Sequence, residues 1–182
     1  MDAGGFMSTK EIDRIDLKML DILQSDGRIT NQQLAKRVSL SPSACLSRLR
    51  MLESSGLIAG YHARIVLEQL RPTVVVYAEV SMKRHVLADF DRFDALIQDI
   101  PEIVEASRVS GPFDYLLKAV VTDMVEWKEL AVALLNEANG IDRVVTYIVM
   151  VDAKPFARVP VTPSSSATRR LSLQLHPAPA TK

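Results

Sequence analysis

The sequence predicts an α+β protein with an N-terminal winged helix–turn–helix domain and a C-terminal ferredoxin-like domain. Residues 30–57 contain two short helical patterns separated by a three-residue turn, Ser39-Leu40-Ser41. Residues 74–153 alternate between strand and helix patterns in the order βαββαβ, which is the split-βαβ arrangement of ferredoxin-like sheets. Because 48% of the 182 residues are hydrophobic, both parts of the chain can bury a core.

The first helix is predicted between residues 11 and 25. Its apolar residues recur three or four positions apart, as in a helix with one buried face. They are Ile12, Ile15, Met19 and Ile22 or Leu23. Asp26-Gly27 is expected to end the helix, and residues 1–10 are expected to form a flexible N-terminus.

The next two helices are predicted from their capping residues. Thr30 can cap the second helix, and Gln33 stands three residues later, where it completes a capping box. Ser41 can cap the third helix, and Pro42 suits the first helical position because its missing N–H is not needed there. The residues of the third helix that can face the core are Cys45, Leu49 and Leu52.

The segment after the third helix is predicted to be the wing. Residues 57–66 combine glycine with β-branched residues, which favours a short strand pair. The first domain therefore covers residues 11–66. Residues 67–73 contain Pro72 and are predicted to be a linker.

The second domain covers residues 74–153, and its elements are predicted from apolar periodicity and from turn residues. Pro101 is expected to end its first helix, and Asn139-Gly140 its second. Strands are predicted at 74–82, 104–110, 114–121 and 144–152, and helices at 85–100 and 124–138.

One face of the predicted sheet is expected to remain uncovered by helices. In the first strand, one face carries only apolar residues, and the two helices would cover it: Val74, Val76, Ala78, Val80 and Met82. The last strand is apolar on both faces, so the other side of the sheet would be a larger patch than a monomer usually exposes. We therefore expect a homodimer through the sheets. The alternative is that the N-terminal domain folds back onto this face.

Charge is unevenly distributed along a chain whose formal net charge is +0. Residues 1–65 carry nine Lys and Arg against seven Asp and Glu, residues 66–153 carry eight against fifteen, and residues 154–182 carry five against none. The middle of the chain is therefore a poor nucleic-acid surface, and DNA binding is inferred from the helix–turn–helix rather than from bulk charge. Residues 154–182 form a Pro/Ser-rich basic tail, expected to be solvated and mostly disordered, or alternatively to touch DNA through Arg169-Arg170.

The single cysteine, Cys45, excludes an intrachain disulfide, which is consistent with a reducing compartment. No apolar run approaches the roughly 18 residues that span a bilayer, and the N-terminus lacks the pattern of a secretory signal. We therefore expect a cytoplasmic, nucleoid-associated protein without a membrane partner.

An ordered set of motifs over residues 11–153 resembles a known family. The motifs of the first domain are Asp13-x-x-Asp16-x-x-x-Leu20-x-x-Leu23-x-x-Asp26-Gly27-Arg28, Leu34-Ala35-x-Arg37-Val38-x-Leu40-Ser41 and Cys45-Leu46-x-Arg48-Leu49-x-x-Leu52-Glu53-x-x-Gly56-x-Ile58. Those of the second are Ser110-Gly111-x-x-Asp114-Tyr115-Leu116-Leu117-Lys118 and Thr146-Tyr147-Ile148-Val149-Met150. Together they are similar to the Lrp/AsnC, or feast/famine, transcriptional regulators.

The resemblance implies a winged helix–turn–helix followed by a ligand-sensing domain, the regulation of amino-acid metabolism domain. It also implies dimers that assemble into tetramers or octamers, and effectors that are usually amino acids. In the family, the turn before the third strand often reads Gly-Asp-x-Asp-Tyr and lies at the effector site. Here it reads Gly111-Pro112-Phe113-Asp114-Tyr115, and Pro112 supplies neither a carboxylate nor a backbone donor. The resemblance thus implies an amino acid or a close derivative as the effector, while the departure at Pro112 means that the family's usual specificity is not carried over to this chain.

A helix–turn–helix of this shape presents its second helix to the DNA major groove. Ser43, Ala44 and Ser47 lie on the first turns of that helix, where serine can bond to several bases and alanine can meet a thymine methyl. The candidate DNA-binding residues are Thr30, Lys36, Arg37, Ser41, Ser43, Ala44, Ser47, Arg48 and Arg50.

The four basic residues of this set have different expected roles. Lys36 and Arg37 are expected to steady the phosphate backbone. Arg48 and Arg50 can contact bases or phosphates. The alternative for Arg48 is a salt bridge to an acidic residue of the first helix.

The candidate effector-binding residues lie in the turn before the third strand and on the last strand. They are Ser110, Gly111, Pro112, Phe113, Asp114, Tyr115, Thr146 and Tyr147. Gly111 permits a positive φ and a close ligand approach, or it simply forms a hairpin turn. Asp114 can hold a ligand amine or cap its own loop. Thr146 and Tyr147 can complete a pocket at a neighbouring subunit, and the alternative for Tyr147 is core or interface packing.

The sequence thus predicts a sequence-specific transcriptional regulator whose assembly and DNA affinity respond to a small metabolite. Because a dimer places two reading helices on one face, a palindromic double-stranded operator is expected. The alternative is a nucleoid-organising protein that wraps DNA with weak sequence preference. No enzyme, cofactor or metal is expected, because the chain has no paired acid–base motif and no glycine-rich phosphate loop, and its histidines are scattered: His62, His85 and His176.

Overall fold

The computed structural model describes residues 12–156 and 158–161. The chain divides into two compact units, one of residues 1–63 with 156–182 and one of residues 64–155. We call the first the helical unit and the second the sheet unit. The expectations for residues 1–10, and for the tail from residue 162 onward, lie outside the described residues.

The helical unit contains three helices, α1 (Arg14–Ser25), α2 (Asn31–Val38) and α3 (Pro42–Ser54). The predicted start of α1 at Glu11 lies outside the described residues, and the helix itself begins after Asp13. The Asp13 side chain accepts hydrogen bonds from the backbone N–H groups of Ile15 and Asp16, which would otherwise lack partners at a helix N-terminus.

The caps predicted for α2 and α3 are confirmed. Thr30 accepts a hydrogen bond from the backbone N–H of Gln33, and the Gln33 side chain accepts one in return from the backbone N–H of Thr30. Ser41 accepts a hydrogen bond from the backbone N–H of Ala44. Between the two helices, Ser39 ends α2 in the left-handed conformation, with φ 58° and ψ 45°.

The core of the helical unit lies between the three helices. The predicted apolar stripes are confirmed, because their central residues are almost completely buried. The buried residues are Met19, Leu34, Ala35, Val38, Cys45 and Leu52.

The strand pair predicted for residues 57–66 is wrong, since the described residues 55–73 contain no strand. The segment is instead held to α3. The backbone N–H of Ile58 donates to the carbonyl of Leu52, and the Tyr61 hydroxyl donates to Glu53 Oε1 over 2.9 Å. Burial, together with this carboxylate, raises the pKa of Tyr61 to about 12.

The chain returns to the helical unit after the sheet unit. We call residues 158–161 the return segment. Arg158 Nη1 lies 2.8 Å from Asp21 Oδ2. The Gln24 side-chain amide donates to the carbonyl of Val159 and accepts from its N–H, over 2.9 and 2.8 Å. The first part of the predicted tail thus packs against α1.

The sheet unit contains four strands and two helices. They are β1 (Val74–Met82), α4 (Leu87–Gln98), β2 (Ile103–Arg108), β3 (Tyr115–Val121), α5 (Met124–Leu134) and β4 (Ile141–Ile148). The strand order is β2-β3-β1-β4, and all neighbouring pairs are antiparallel. The predicted βαββαβ order and the ferredoxin-like class are therefore confirmed.

Two elements of the sheet unit differ from their predicted bounds by more than two residues. The helix predicted to reach Ala138 ends at Leu134, because the Asn136 side chain accepts from the N–H of Ala138 and caps a separate 3₁₀ turn. The last strand spans Ile141–Ile148 rather than 144–152. A register shift beside Met82 lets Ile141 pair there and become buried.

The prediction for the faces of β1 is confirmed on the helix-covered side, where Val76, Ala78 and Val80 are completely buried. We call the opposite side of the sheet the open face. It combines apolar and charged residues, in contrast to the expected apolar patch, and Lys118 Nζ lies 5.8 Å from the Tyr77 ring centroid. Its central residues are Tyr77, Glu79, Lys118, Val145 and Tyr147.

Candidate DNA-binding and effector-binding sites

The solvent-facing side of α3 brings together most of the predicted base-reading residues. Ser43, Ser47 and Arg50 are exposed and lie four and three residues apart, so they share one side of the helix. Ala44 is exposed beside them. The buried Cys45 belongs to the core side. The helix therefore presents small hydroxyl side chains and one guanidinium to solvent.

The remaining candidates of the helix–turn–helix surround this surface. Lys36 and Arg37 are exposed in the last turn of α2. Thr30 and Ser41 are exposed at the starts of α2 and α3, where their oxygens accept the capping hydrogen bonds. Because a capping hydroxyl keeps its own proton, Thr30 can still donate a hydrogen bond to a phosphate. Ser41 can do so when the Ser43 hydroxyl is the donor in the 3.1 Å contact between their Oγ atoms.

Arg48 does not belong to this surface, because its side chain contacts the N-terminus of α1. Its Nη1 is 2.6 Å from Asp13 Oδ2 and 2.9 Å from Asp16 Oδ1. The structure thus favours the alternative role predicted for Arg48, a salt bridge to the first helix. The backbone N–H of Asp16 and the Arg48 guanidinium lower the pKa of Asp13. The two carboxylates, in turn, raise the pKa of Arg48.

Sequence reasoning missed Asn31, which connects α2 to α3. Its Nδ2 donates to the carbonyl of Pro42 over 2.9 Å. Its Oδ1 is buried and has no hydrogen-bond partner in the part of the chain that the structure describes. Nothing in the spacing around Asn31 distinguishes it from an ordinary first residue of a helix.

The loop between β2 and β3 contains five of the predicted effector residues. Ser110, Gly111 and Pro112 are exposed, and Phe113 is half-buried. The positive φ considered for Gly111 is not present, and a Cβ added there would meet no atom within 4 Å. The backbone geometry of Gly111 is therefore that of a simple turn.

Asp114 caps the loop. Its Oδ2 accepts from the backbone N–H of Met82 over 2.7 Å, and its Oδ1 lies 3.0 Å from His85 Nε2. The backbone N–H of Asp114 donates to the carbonyl of Val80. These bonds connect the loop to the end of β1, in agreement with the capping alternative.

Tyr115 belongs to the core rather than to a surface site. It is 1% exposed, and its hydroxyl donates to Asp94 Oδ1 over 2.7 Å. Arg108 Nε donates to the same hydroxyl over 3.1 Å. Burial and the Asp94 carboxylate raise the pKa of Tyr115. Sequence reasoning missed this cluster because Asp94 and Arg108 are distant from Tyr115 in the helix and strand patterns.

Thr146 and Tyr147 lie on opposite faces of β4. Thr146 Oγ1 accepts from the buried Trp127 indole over 3.0 Å, so it faces α5. Tyr147 is 49% exposed on the open face, and the neighbouring Glu79 carboxylate raises its pKa. The two residues therefore cannot line one site within a single chain.

The loop is also separated from Tyr147. β1 lies between β3 and β4, and Tyr147 pairs with Tyr77, whereas the loop reaches β1 at Val80. At about 3.3 Å per residue, this offset amounts to about 10 Å along the strand. A shared effector pocket would thus require a second copy of the chain.

Neither a metal cluster nor a membrane-spanning helix occurs in residues 12–156 and 158–161. No group of three or more His, Cys, Asp or Glu side chains there could hold a metal ion. No helix in these ranges is long and apolar enough to cross a membrane.

Two family models match the chain, one for each unit. Residues 12–59 match a winged helix-turn-helix DNA-binding model. Residues 75–159 match the model of the Lrp/AsnC ligand binding domain. Together the two matches cover most of the chain.

Among curated proteins, the chain is similar to the leucine-responsive regulatory protein of Salmonella typhimurium. The two are 42% identical over 150 residues, which is 82% of this chain and 92% of that protein. The protein of the same name from Escherichia coli is 41% identical over the same shares.

Among solved structures, the chain is similar to a transcriptional regulator from Neisseria meningitidis in complex with L-Met. The TM-score is 0.77 at 32% identity, over 83% of this chain and 97% of that one. An AsnC family transcriptional regulator from Agrobacterium tumefaciens has a TM-score of 0.75 at 30% identity, over 82% of this chain and 97% of that one.

Proposed function

Because the chain belongs to the Lrp/AsnC family of DNA-binding transcriptional regulators, we propose that it reads a palindromic operator with α3. We propose further that an amino acid or a close derivative changes its assembly and its DNA affinity. The chain is a regulator and not an enzyme. The observation that carries the DNA proposal is the exposed surface of Ser43, Ser47 and Arg50 on the second helix of the helix–turn–helix.

The DNA contacts divide into two groups. Ser43, Ala44 and Ser47 approach base edges in the major groove, because they are exposed on the first turns of α3. The residues that contact the phosphate backbone and set the register are Thr30, Lys36, Arg37, Ser41 and, on the third turn of α3, Arg50. This assignment leaves out Arg48, whose guanidinium lies between two carboxylates.

The palindrome follows from a homodimer that forms through the open face. Tyr77 and Tyr147 expose apolar surface in the centre of this face, and two copies would bury it. A two-fold symmetric dimer presents two α3 helices, so the half-sites lie about one DNA turn apart or a multiple of it. Assembly to tetramers or octamers belongs to the same proposal, as does association with the nucleoid.

The effector proposal depends on the exposed loop residues Ser110, Gly111 and Pro112. The Neisseria meningitidis regulator was solved with L-Met, which supports an amino acid as the effector class. In the proposed assembly, the loop of one copy and Tyr147 of another contact the effector together. Ligand binding at such a junction changes the assembly through its differential affinity for two states.

The first test is thermal unfolding of the full chain against the twenty amino acids and their keto-acid derivatives. A ligand that binds the folded protein raises the midpoint by mass action, and we expect one such compound. The second test is footprinting of DNA fragments enriched by the protein, with and without that compound. Discrete palindromic footprints support the proposal. Long continuous protection without sequence preference, or no response to any compound, would contradict it.

A further inference from the structure

We infer that Arg48 is a positioning residue for DNA reading: it fixes the orientation of α3 through the N-terminus of α1 and does not contact DNA. The inference rests on the proposed function of α3. It reassigns a residue whose type and place in the recognition helix are those of a DNA contact.

The carboxylates that hold Arg48 form a closed hydrogen-bond network. Asp13 Oδ1 accepts from the N–H groups of Ile15 and Asp16. Asp16 Oδ2 accepts from the N–H of Asp13 over 3.1 Å. The remaining oxygen of each carboxylate accepts from Arg48 Nη1, over 2.6 and 2.9 Å. Every carboxylate oxygen therefore has a hydrogen-bond partner.

The burial of Asp16 opposes the loss of its contact with Arg48. Asp16 is 1% exposed, and a buried carboxylate requires a charged or hydrogen-bonding partner. If the Arg48 guanidinium moved toward a phosphate, the buried Asp16 oxygen would lose the only cation that contacts it among the described residues. The desolvated charge thus holds Arg48 against α1.

The direction of Arg48 on α3 also turns it away from Ser43 and Arg50. Successive residues of an α-helix are about 100° apart. Arg48 is therefore about 160° around the helix from Arg50 and about 140° from Ser43. Since Ser43 and Arg50 face solvent on one side, Arg48 lies almost opposite to them, beside the core residues.

Because Arg48 is bound to α1, another residue must supply the positive charge that α3 brings to DNA. Among the described residues of α3, Arg50 is the arginine left for the reading surface. An arginine that contacts a phosphate contributes to the salt dependence of DNA affinity, whereas a positioning arginine does not. The two arginines of α3 can therefore be distinguished by their salt slopes.

The experiment compares the full-length protein with Arg48→Met, Arg48→Lys, Arg50→Met and Arg50→Lys. The probes are a duplex enriched from a random library by the unmodified protein and a scrambled duplex of equal length. Affinities are measured between about 50 and 200 mM salt, after circular dichroism has verified that each variant is folded.

We expect Arg48→Met to leave the slope of log K against log salt unchanged, and Arg50→Met to reduce its magnitude by about 0.9. We expect Arg48→Lys to lower affinity for the enriched duplex about tenfold and for the scrambled duplex much less, because lysine is one atom shorter and its ammonium does not reach the position of Nη1 between the two carboxylates. Since lysine also binds phosphates, Arg50→Lys should keep the wild-type slope.

The inference would be overturned if Arg48→Met reduced the slope as Arg50→Met does, or if Arg48→Lys kept full affinity for the enriched duplex. If Arg48→Met fails to fold, the Arg48→Lys comparison decides alone. If the unmodified protein enriches no sequence, the proposed sequence-specific function fails, while the slopes on the scrambled duplex still test the role of Arg48.

Discussion

Ser39 adopts a backbone conformation that is unfavourable for a residue with a side chain. It ends α2 at φ 58° and ψ 45°, in the left-handed region that costs a non-glycine residue about 1–2 kcal/mol. Glycine adopts this conformation without a Cβ penalty and is common at this position after helices. The turn of the helix–turn–helix therefore contains a local strain that a substitution can remove.

We expect Ser39→Gly to raise the free energy of unfolding by about 0.5–1 kcal/mol, since the larger unfolded-state entropy of glycine offsets part of the gain. Urea unfolding monitored by circular dichroism measures this change in the free energy of unfolding. Ser55→Gly is the matched control. Ser55 follows α3 at φ −78°, an ordinary backbone conformation in which glycine removes no strain. A lower midpoint for Ser39→Gly than for the wild type would contradict the prediction.

Thr146 provides a second prediction for a single residue. Its hydroxyl accepts the hydrogen bond from Trp127, which is 2% exposed. Thr146→Val leaves the indole N–H unpaired, so we expect a loss of about 1–3 kcal/mol in the free energy of unfolding. Thr146→Ser keeps the hydroxyl acceptor, so we expect it to lower the free energy of unfolding less than Thr146→Val does. Equal urea midpoints for the valine and serine variants would show that the bond contributes nothing.

The candidate site residues could be predicted only where one helix decides their exposure. Ser43 and Ser47 are exposed because of their positions on α3, which the sequence periodicity predicts. Arg48 and Tyr115 could not be placed in this way, because their surroundings come from other elements: α1 for Arg48 and α4 for Tyr115. A motif indicates which interactions a side chain can make. Whether the side chain is free to make them with a ligand or with DNA depends on the residues of other elements that contact it.

At the scale of elements, helices were predicted more accurately at their capped ends than elsewhere. Thr30 and Ser41 mark the starts of α2 and α3 because local hydrogen bonds alone determine them. The wing at 57–66 was predicted from composition, but a strand also needs a neighbouring edge, and no described strand supplies one there. The end of α5 was missed because the amide of Asn136 caps a competing turn.

Two carboxylates with lowered pKa values, Glu126 and Asp94, predict the response of the protein to acid. The hydroxyl and the backbone N–H of Thr122 lower the pKa of Glu126 at the start of α5 below its ordinary value of 4.5. Although burial opposes the shift, hydrogen bonds from Tyr115 and Arg108 lower the pKa of Asp94 below 3.8. Because these pKa values are lower in the folded than in the unfolded protein, the unfolded state binds more protons as the pH falls.

The contribution of these groups to stability is therefore fully present above about pH 5 and is lost as the pH falls below their ordinary values. We expect the urea midpoint to decline below about pH 4.5, and Glu126→Gln to make this decline less steep. Glu129→Gln, on the exposed side of the same helix, is the control. A decline of unchanged steepness in Glu126→Gln would exclude this carboxylate as a source.

At the scale of the whole molecule, the proposed homodimer depends on the open face. Tyr77 is 36% exposed and Tyr147 49% exposed in its centre. The cation–π contact of Lys118 with Tyr77 shows that charged side chains partly cover this surface. The sequence predicted the two faces of β1 correctly but overestimated how apolar the open face is, because only the register with β3 brings Lys118 beside Tyr77.

We expect Tyr77→Glu to weaken self-association at least tenfold, because it places a second carboxylate near Glu79 on a surface that would be buried between two copies. Sedimentation velocity over a concentration series measures the effect. Val132→Glu is the control, since Val132 is 62% exposed on α5, away from the open face. Identical sedimentation of Tyr77→Glu and the wild type would contradict dimerisation through this face.

The return segment also bears on how the protein is made. The helical unit consists of residues before 64 and after 155, so the sheet unit is inserted into it. On the ribosome, α1 must wait for Arg158 and Val159, its partners from the far end of the chain. At about 5–20 residues per second, the roughly 130 residues between α1 and Arg158 take about 7–27 s. During that interval the sheet unit can fold first, and α1 gains its contacts with Arg158 and Val159 only after the sheet unit has been synthesised.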